Sequence, residues 1–210
     1  MKTFDVLRDY HDIGADILAK DRLTIYPGLT VLVGCNGAGK STLIHQLSNI
    51  LETENIPWLE YNNLQDGGHH AMGWATFQNQ YSKVATMALS SEGENIIINF
   101  GDFAKKIGEL VRKQESGSSV WVFMDALDSG MSIDNIVEVK DFFKFVKNQD
   151  PDKEFYFIVA ANEYEMARGE TCFDVNSGEY IAFADYEDFR LFILESRKLK
   201  DKRRYKKRSR

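Results

Sequence analysis

The sequence predicts a three-layer α/β domain, in which helices pack on both faces of a mainly parallel central sheet. Two short apolar runs, 120–124 and 155–160, have the composition of strands that are buried on both faces. A segment with helical periodicity lies between them, and this alternation of strands and helices is typical of a parallel sheet. The chain of 210 residues is long enough to bury one hydrophobic core.

The first part of the chain is predicted to form a small antiparallel part beside that sheet. Residues 4–25 are expected to supply one or two strands. The apolar runs 23–26 and 29–33 flank Pro27 and Gly28, a turn signal that predicts a β-hairpin. The second strand of this hairpin leads directly into a glycine-rich segment.

Residues 34–42 form a complete phosphate-binding loop of the form G-x-x-x-x-G-K-S/T, followed by helical spacing over 41–51. The glycines let the backbone turn its N–H groups toward phosphate oxygens, and the lysine places a positive charge near the β- and γ-phosphates. A helix N-terminus after the loop adds to this anion site. We therefore predict the fold of a P-loop NTPase that binds a nucleoside triphosphate. The predicted nucleotide contacts are Gly34, Asn36, Gly37, Ala38, Gly39, Lys40, Ser41 and Thr42.

The rest of the chain continues the alternation of strands and helices. A strand is predicted over 56–61, a glycine-rich loop over 62–73, and a short helical insertion over 77–89 and 96–111. Beyond the run 120–124, the predicted elements are a helix over 133–148, the strand 155–160, a strand pair over 171–175 and 179–183, and a helix over 186–199. A single ATPase domain is thus expected to span residues 1–196.

Asp125 follows the apolar run 120–124, which is the usual position of the second metal-binding element in P-loop proteins. A carboxylate there can hold Mg²⁺ through water, beside the hydroxyl of Ser41. We therefore predict Mg²⁺ at Ser41 and Asp125, next to the bound nucleotide.

Three segments occur in the order found in one class of P-loop ATPase. The loop 34–42 is similar to GxNGxGKST, Ser91-Glu92-Gly93-Glu94 is similar to a signature motif, and 123–130 is similar to a Walker B and D-loop segment. Over about residues 22–165 the chain thus resembles ABC-type ATPases, in particular the soluble branch that includes the SMC and RecF proteins. No heptad arm or membrane span is present in the sequence, so the resemblance is to a compact head.

The resemblance implies that ATP is bound between two subunits, in a homodimer or higher oligomer that forms with ATP. Ser91 and Gly93 of one subunit would face the γ-phosphate that the other subunit binds. Gln65 would correspond to the family's Q-loop glutamine and contact Mg²⁺, with Gln78 and Gln80 as rivals for this role.

The glutamate that polarises water in this family is missing, because the residue after Asp125 is Ala126. A methyl group cannot orient or deprotonate water. Asn162 falls at the position of the switch histidine, and its amide can hydrogen-bond a γ-phosphate or a water. Three explanations stay open: ATP is hydrolysed slowly and acts as a clamp, Asp128 or Glu163 replaces the glutamate, or the base was removed by engineering or comes from a second protein subunit.

Basic residues are concentrated at the C-terminal end. Ten of the 26 Lys and Arg residues fall between 197 and 210, although the whole chain has a formal net charge of −6. We expect a disordered tail that meets an anionic partner, with nucleic acid first, or one that serves solubility or folds back on the acidic body. Two cysteines and the lack of a signal peptide or apolar span predict a cytoplasmic protein without a membrane partner.

These observations favour an ATPase head with slow hydrolysis, and a DNA-related or defence complex follows from the resemblance alone. A non-hydrolysing switch or scaffold that recruits an effector stays open because of Ala126. A nucleic-acid-binding module with structural nucleotide stays open because of the basic tail. A small-molecule kinase is disfavoured, because residues 52–104 contain no Arg for a lid over the phosphates.

Overall fold

The computed structural model of the chain describes residues 1–10, 17–62, 77, 83, 87 and 92–208. The strands are β1 (Lys2–Asp5), β2 (Arg22–Ile25), β3 (Gly28–Val33), β4 (Trp58–Asn62), β5 (Ser119–Asp125), β6 (Glu154–Ala160), β7 (Cys172–Asp174) and β8 (Glu179–Ile181). The helices are α1 (Lys40–Thr53), α2 (Glu92–Lys113), α3 (Ile133–Gln149), α4 (Tyr164–Ala167) and α5 (Tyr186–Arg208).

The central sheet has six strands in the order β4-β5-β6-β3-β7-β8, and only β8 runs antiparallel to its neighbour. A second, two-stranded antiparallel sheet consists of β1 and β2. The mainly parallel sheet and the small antiparallel part confirm the predicted α/β architecture.

The hairpin predicted around Pro27 and Gly28 is wrong. β2 pairs with β1, whereas β3 lies inside the central sheet between β6 and β7. The parallel partners of β3 are β6, along residues 28–32, and β7, along residues 31–33, so β3 belongs to the central sheet and not to a hairpin with β2. Gly28, with φ of 116°, lies where the chain passes from one sheet to the other.

Alternate residues of each central strand face two separate hydrophobic clusters, as the two-residue period of a strand requires. Val31 and Val33 face one cluster, which α2 and α3 cover, and Leu32 faces the other, which α1 covers together with β1 and β2. All three side chains have no solvent exposure. The molecule therefore has the three layers that the sequence predicts.

The carboxyl ends of the parallel strands meet in one row. Asp125 of β5 is paired with Asn62 on one side and with Ala160 of β6 on the other. Ala160 is paired in turn with Leu32, the penultimate residue of β3. The segments that follow β3, β5 and β6 consequently leave the sheet at the same edge.

The last helix is longer than predicted. α5 continues from the expected end near residue 199 to Arg208, into the basic segment 197–210. Among the helices of the described ranges, none combines the length and the apolar character needed to cross a lipid bilayer.

Candidate nucleotide site

The phosphate-binding loop connects the end of β3 to the start of α1. Its glycines at 34, 37 and 39 all have positive φ, which L-residues with a side chain rarely adopt. Space is restricted as well: a Cβ at Gly34 would lie 2.9 Å from the Cβ of Ala38, and one at Gly39 would lie 2.3 Å from Cγ2 of Ile17. The loop conformation therefore requires glycine at both positions.

The side chain of Lys40 returns over this loop. Its Nζ donates a hydrogen bond to the carbonyl of Gly34 at 2.7 Å, and the residue is only 8% exposed. Burial lowers the pKa of Lys40, while Asp128, Cys35 and Asp125 act in the opposite direction. The ammonium thus lies at the start of the loop, within electrostatic reach of both carboxylates.

Asp125 and Ser41 have the chemistry of a Mg²⁺ site. Asp125 ends β5, one strand away from β3, and Ser41 is an exposed residue in the first turn of α1. No group of three or more His, Cys, Asp or Glu residues arranged to hold a metal occurs in the described part of the chain. One carboxylate and one hydroxyl fit Mg²⁺, which proteins commonly hold through few ligands together with phosphates and water.

Asp128 connects the turn after β5 to the end of β6. Its Oδ2 accepts hydrogen bonds from the backbone N–H groups of Asn162 and Glu163, both at 2.8 Å. The side chain is fully buried, and its Oδ1 has no hydrogen-bond partner in the described structure. Burial raises the pKa of Asp128 to about 6, although the two N–H donors act in the opposite direction.

Asn162 and Glu163 are exposed at the same edge of the sheet. Asn162 lines a cavity of about 320 Å³ together with Gly34, Cys35 and Asn36 at the start of the loop. Glu163 is the N-cap residue of α4, and its side chain makes no capping hydrogen bond there. The structure therefore brings Lys40, Asp125, Asp128 and Asn162 to the same edge of the sheet.

A family model described as "ATPase family associated with various cellular activities (AAA)" matches residues 30–172. This match begins in β3, ends at the first residue of β7, and includes the whole phosphate-binding loop and every site residue described above. The chain belongs to the AAA family. It is accordingly a nucleotide-binding P-loop ATPase. A search of curated proteins gave no match.

The turn after Asp125 in this AAA domain has unusual backbone geometry. Ala126 has a φ of 52°, a left-handed conformation that is uncommon for a residue with a side chain. The turn continues with hydrogen bonds from Ser129 N to the carbonyl of Ala126 and from Met131 N to that of Asp128. The methyl side chain of Ala126 cannot act as an acid or a base.

Four residues that the resemblance implies at the site lie outside the described part of the chain. Gln65, Gln78, Gln80 and Ser91 are outside the described residues, so the structure does not place them. Gly93 lies in the first turn of α2. α2 also contacts the turn after β5, since a Cβ at Gly130 would lie 3.1 Å from Cδ1 of Ile96.

Residues beyond the matched range 30–172 make a further contact to the phosphate-binding loop, which the sequence does not predict. Ser196 of α5 accepts hydrogen bonds from the N–H of Cys35 at 2.9 Å and from Nδ2 of Asn176 at 2.8 Å. Lys200 donates to the carbonyl of Asn36 at 2.6 Å. No local pattern marks these residues, because Ser196 and Cys35 are 161 positions apart in the chain.

Proposed function

We propose that this AAA-family protein is a compact ABC/SMC-like ATPase head that binds Mg²⁺-ATP and hydrolyses it slowly. The supporting observation is that Lys40 lies within electrostatic reach of Asp125 and Asp128, at the edge where β3, β5 and β6 end. A lysine between a phosphate-binding loop and a strand-terminal carboxylate is the arrangement that Mg²⁺-nucleotide binding requires.

The phosphate contacts come from the loop and the start of α1. Backbone N–H groups from Asn36 to Thr42 bind phosphate oxygens, and Lys40 exchanges the carbonyl of Gly34 for the β- and γ-phosphates. Ser41 and Asp125 would hold Mg²⁺, with Gln65 as a further ligand. When bound, the ion neutralises charge on the phosphates.

Exposure separates the two candidate replacements for the missing glutamate. Asp128 is fully buried and already accepts two backbone N–H groups, so it positions residues 162 and 163. Glu163 is exposed beside the site and is the better candidate to orient water. The amide of Asn162 would hydrogen-bond the γ-phosphate or that water. With Ala126 in place of the glutamate, we expect slow turnover.

ATP would also join two copies of the chain. Ser91 and Gly93 of one copy would face the γ-phosphate bound by the other, because a helix N-terminus favours an anion. Gly93 lies in the first turn of α2, which fits this role. Alternatively, a different protein subunit would take the place of the second copy and contact the γ-phosphate.

Turnover and molar mass, measured in parallel, test this proposal. The purified chain should hydrolyse ATP faster than a Lys40→Ala variant, and its mass should double with Mg²⁺-ATP but not with ADP. Removal of Glu163 by Glu163→Gln should lower turnover by on the order of 10²-fold or more and leave ATP affinity unchanged. Absence of both turnover and ATP-dependent association would contradict the proposal.

Ala126 favours a second candidate function, a non-hydrolysing switch or scaffold whose ATP-bound form recruits an effector. In that case ATP binds tightly and drives association, but a single-turnover experiment shows almost no product. Multiple turnovers at an ordinary rate would remove this candidate.

The basic C-terminal segment supports a nucleic-acid partner as part of either function. Truncation after Lys202 is the sharper test than removal of 197–210, because it keeps the contact between Lys200 and Asn36. Nucleic-acid affinity should fall on truncation and decrease steeply with salt in the full chain. If truncation leaves the affinity for nucleic acid unchanged, the segment serves solubility instead.

A further inference from the structure

The basic C-terminal segment is the second half of a helix whose first half is packed on the body of the molecule. α5 continues as a helix through residues 197–208. Phe189 and Ser196 in its first half are buried, and Ser196 accepts the backbone N–H of Cys35 at 2.9 Å. Beyond Ser196, the residues that are exposed include Arg197, Lys198, Leu199 and Lys202. The segment therefore leaves the body as the continuation of an anchored helix.

The charge of residues 197–208 is almost entirely positive and lies on all sides of the helix. Nine of these twelve residues are Lys or Arg, and Asp201 is the one acid. An α-helix turns about 100° per residue, so the nine basic positions are distributed around the whole helix axis. Leu199 and Tyr205, the two uncharged residues, lie on sides about 120° apart. The segment thus has no apolar face, which a helix that lies on a lipid surface requires.

The positive charges of this segment remain available to an external anion. Arg197 pairs with Asp201 and Lys198 pairs with Glu195, so both of these ion pairs stay within the helix. Cations three or four residues apart, such as Lys198 and Lys202, repel each other along the helix. A continuous helix also cannot fold back on the acidic body of the chain. A polyanion that neutralises this charge would therefore stabilise the segment as a helix.

The dimensions of the segment favour double-stranded DNA over other nucleic acids. An α-helix with its side chains is about 10–12 Å in diameter, and the major groove of B-form DNA, which is about 12 Å wide, admits one. Phosphates border this groove on both sides, so a helix with cations on all sides can contact both strands. The major groove of an RNA duplex is too narrow for side chains to read. Single strands are bound largely by aromatic stacking, and Tyr205 is the one aromatic residue of the segment.

We propose that residues 197–208 bind the major groove of double-stranded DNA as a rigid helix that contacts the phosphates of both strands. This inference rests on the nucleic-acid partner included in the proposed function, and it names the class of that partner. Contacts to phosphates carry no sequence information, so the affinity is independent of the base sequence. Because Ser196 fixes the start of the segment at Cys35, the duplex is held beside the edge of the sheet that carries the nucleotide site.

Two substitutions of one residue separate a rigid helix from a flexible basic tail. Tyr205→Pro and Tyr205→Ala both remove the aromatic ring and keep all ten basic residues between 197 and 210. Proline interrupts a helix, whereas alanine favours it. Binding of the full-length variants to a labelled DNA duplex of about two helical turns is measured without nucleotide. We expect Tyr205→Pro to weaken binding about tenfold or more and Tyr205→Ala by less than about twofold.

Two further measurements accompany this comparison. The unmodified chain should bind a single DNA strand and an RNA duplex of the same sequence at least about tenfold more weakly than the DNA duplex. Urea unfolding should be the same for both variants, because residue 205 lies nine positions beyond the buried Ser196. The loss in Tyr205→Pro is then a property of the segment and not of the folded body.

Three results would overturn this inference. Equal affinities of the proline and alanine variants for the duplex indicate a flexible tail. Binding to the single strand or the RNA duplex that equals or exceeds binding to the DNA duplex assigns a different partner, and so does tighter binding to anionic lipid vesicles. If the chain binds the duplex as expected but binds ATP no better than Lys40→Ala, the ATPase proposal fails and this inference stands. If ATP is bound and hydrolysed but the two variants are equal, this inference alone fails.

Discussion

At the scale of single residues, Asp128 joins two parts of the site that come from different strands. Its carboxylate follows β5, and it holds the backbone N–H groups of Asn162 and Glu163 after β6. A fully buried carboxylate normally needs a complete set of partners, yet Oδ1 has none among the described residues. This arrangement fixes the loop that carries Asn162, and it makes the ionisation of Asp128 unfavourable.

The pH dependence of stability tests this role of Asp128. Since burial raises the pKa from 3.8 to about 6, the folded chain binds this proton more tightly than the unfolded chain does. The resulting stabilisation is fully present below pH 3.8 and is lost as the pH rises through about 6. Relative to Asp128→Asn, whose amide does not titrate, the chain should lose about 3 kcal/mol of unfolding free energy between about pH 3 and pH 7. Urea unfolding at several pH values measures this difference, and parallel curves for the two proteins would contradict it.

At the scale of elements, the last helix and the β7–β8 turn are both connected to the phosphate-binding loop. The Oγ of Ser196 accepts N–H groups from Cys35 and from the side chain of Asn176. Asn176 is itself fixed in the turn, where its backbone N–H donates to Oδ1 of Asp174 at 2.9 Å. Three elements distant in sequence thus meet at one buried hydroxyl.

Removal of that hydroxyl should destabilise the domain more than removal of an exposed one. Ser196→Ala leaves two buried donors without their acceptor, so we expect a loss of about 2 kcal/mol or more of unfolding free energy. Ser118→Ala is the matched control, because the Ser118 hydroxyl donates to the carbonyl of Glu115 at an exposed position. Its cost should stay within about 0.5 kcal/mol. Equal losses in chemical denaturation would show that Ser196 is not a specific link.

At the scale of the whole molecule, the two hydrophobic clusters on opposite faces of the sheet hold the site edge in place. β3, β5 and β6 contribute alternate side chains to both clusters, so the strands that precede the phosphate-binding loop, Asp125 and Asn162 are buried on both faces. Residues of the site itself add little to this core. Buried residues within the strands consequently stabilise the fold, whereas residues at and after the strand ends form the nucleotide site.

Two of the three phenylalanines of α3 allow a direct comparison of the two faces of that helix. Phe143 is 2% exposed and belongs to the cluster under α2 and α3, whereas Phe145 is 59% exposed. Phe143→Ala should cost about 3–5 kcal/mol of unfolding free energy, because it removes a buried ring and leaves a cavity. Phe145→Ala should change it by at most about 0.5 kcal/mol. Similar losses for the two variants would mean that the outer face of α3 is covered by a partner.

The sequence by itself determined the features that depend on neighbouring residues. The glycines and Lys40 specify the loop between β3 and α1, since positive φ values and a helix start are local properties of the chain. The buried strand that ends in Asp125 is specified in the same way, by a short apolar run. The sequence therefore predicts the loop 34–42 between a strand and a helix, and Asp125 at the end of a buried strand, as the structure has them.

Only the tertiary structure decided which strands are neighbours and what lies against the loop. The turn signal at Pro27 and Gly28 predicts a hairpin, but β3 pairs with the parallel strands β6 and β7 instead of β2. Likewise, nothing near Ser196 or Lys200 in the sequence indicates contact with Cys35 and Asn36. Such contacts join residues more than 160 positions apart, and they exist because the packing of the whole sheet places α5 beside its edge.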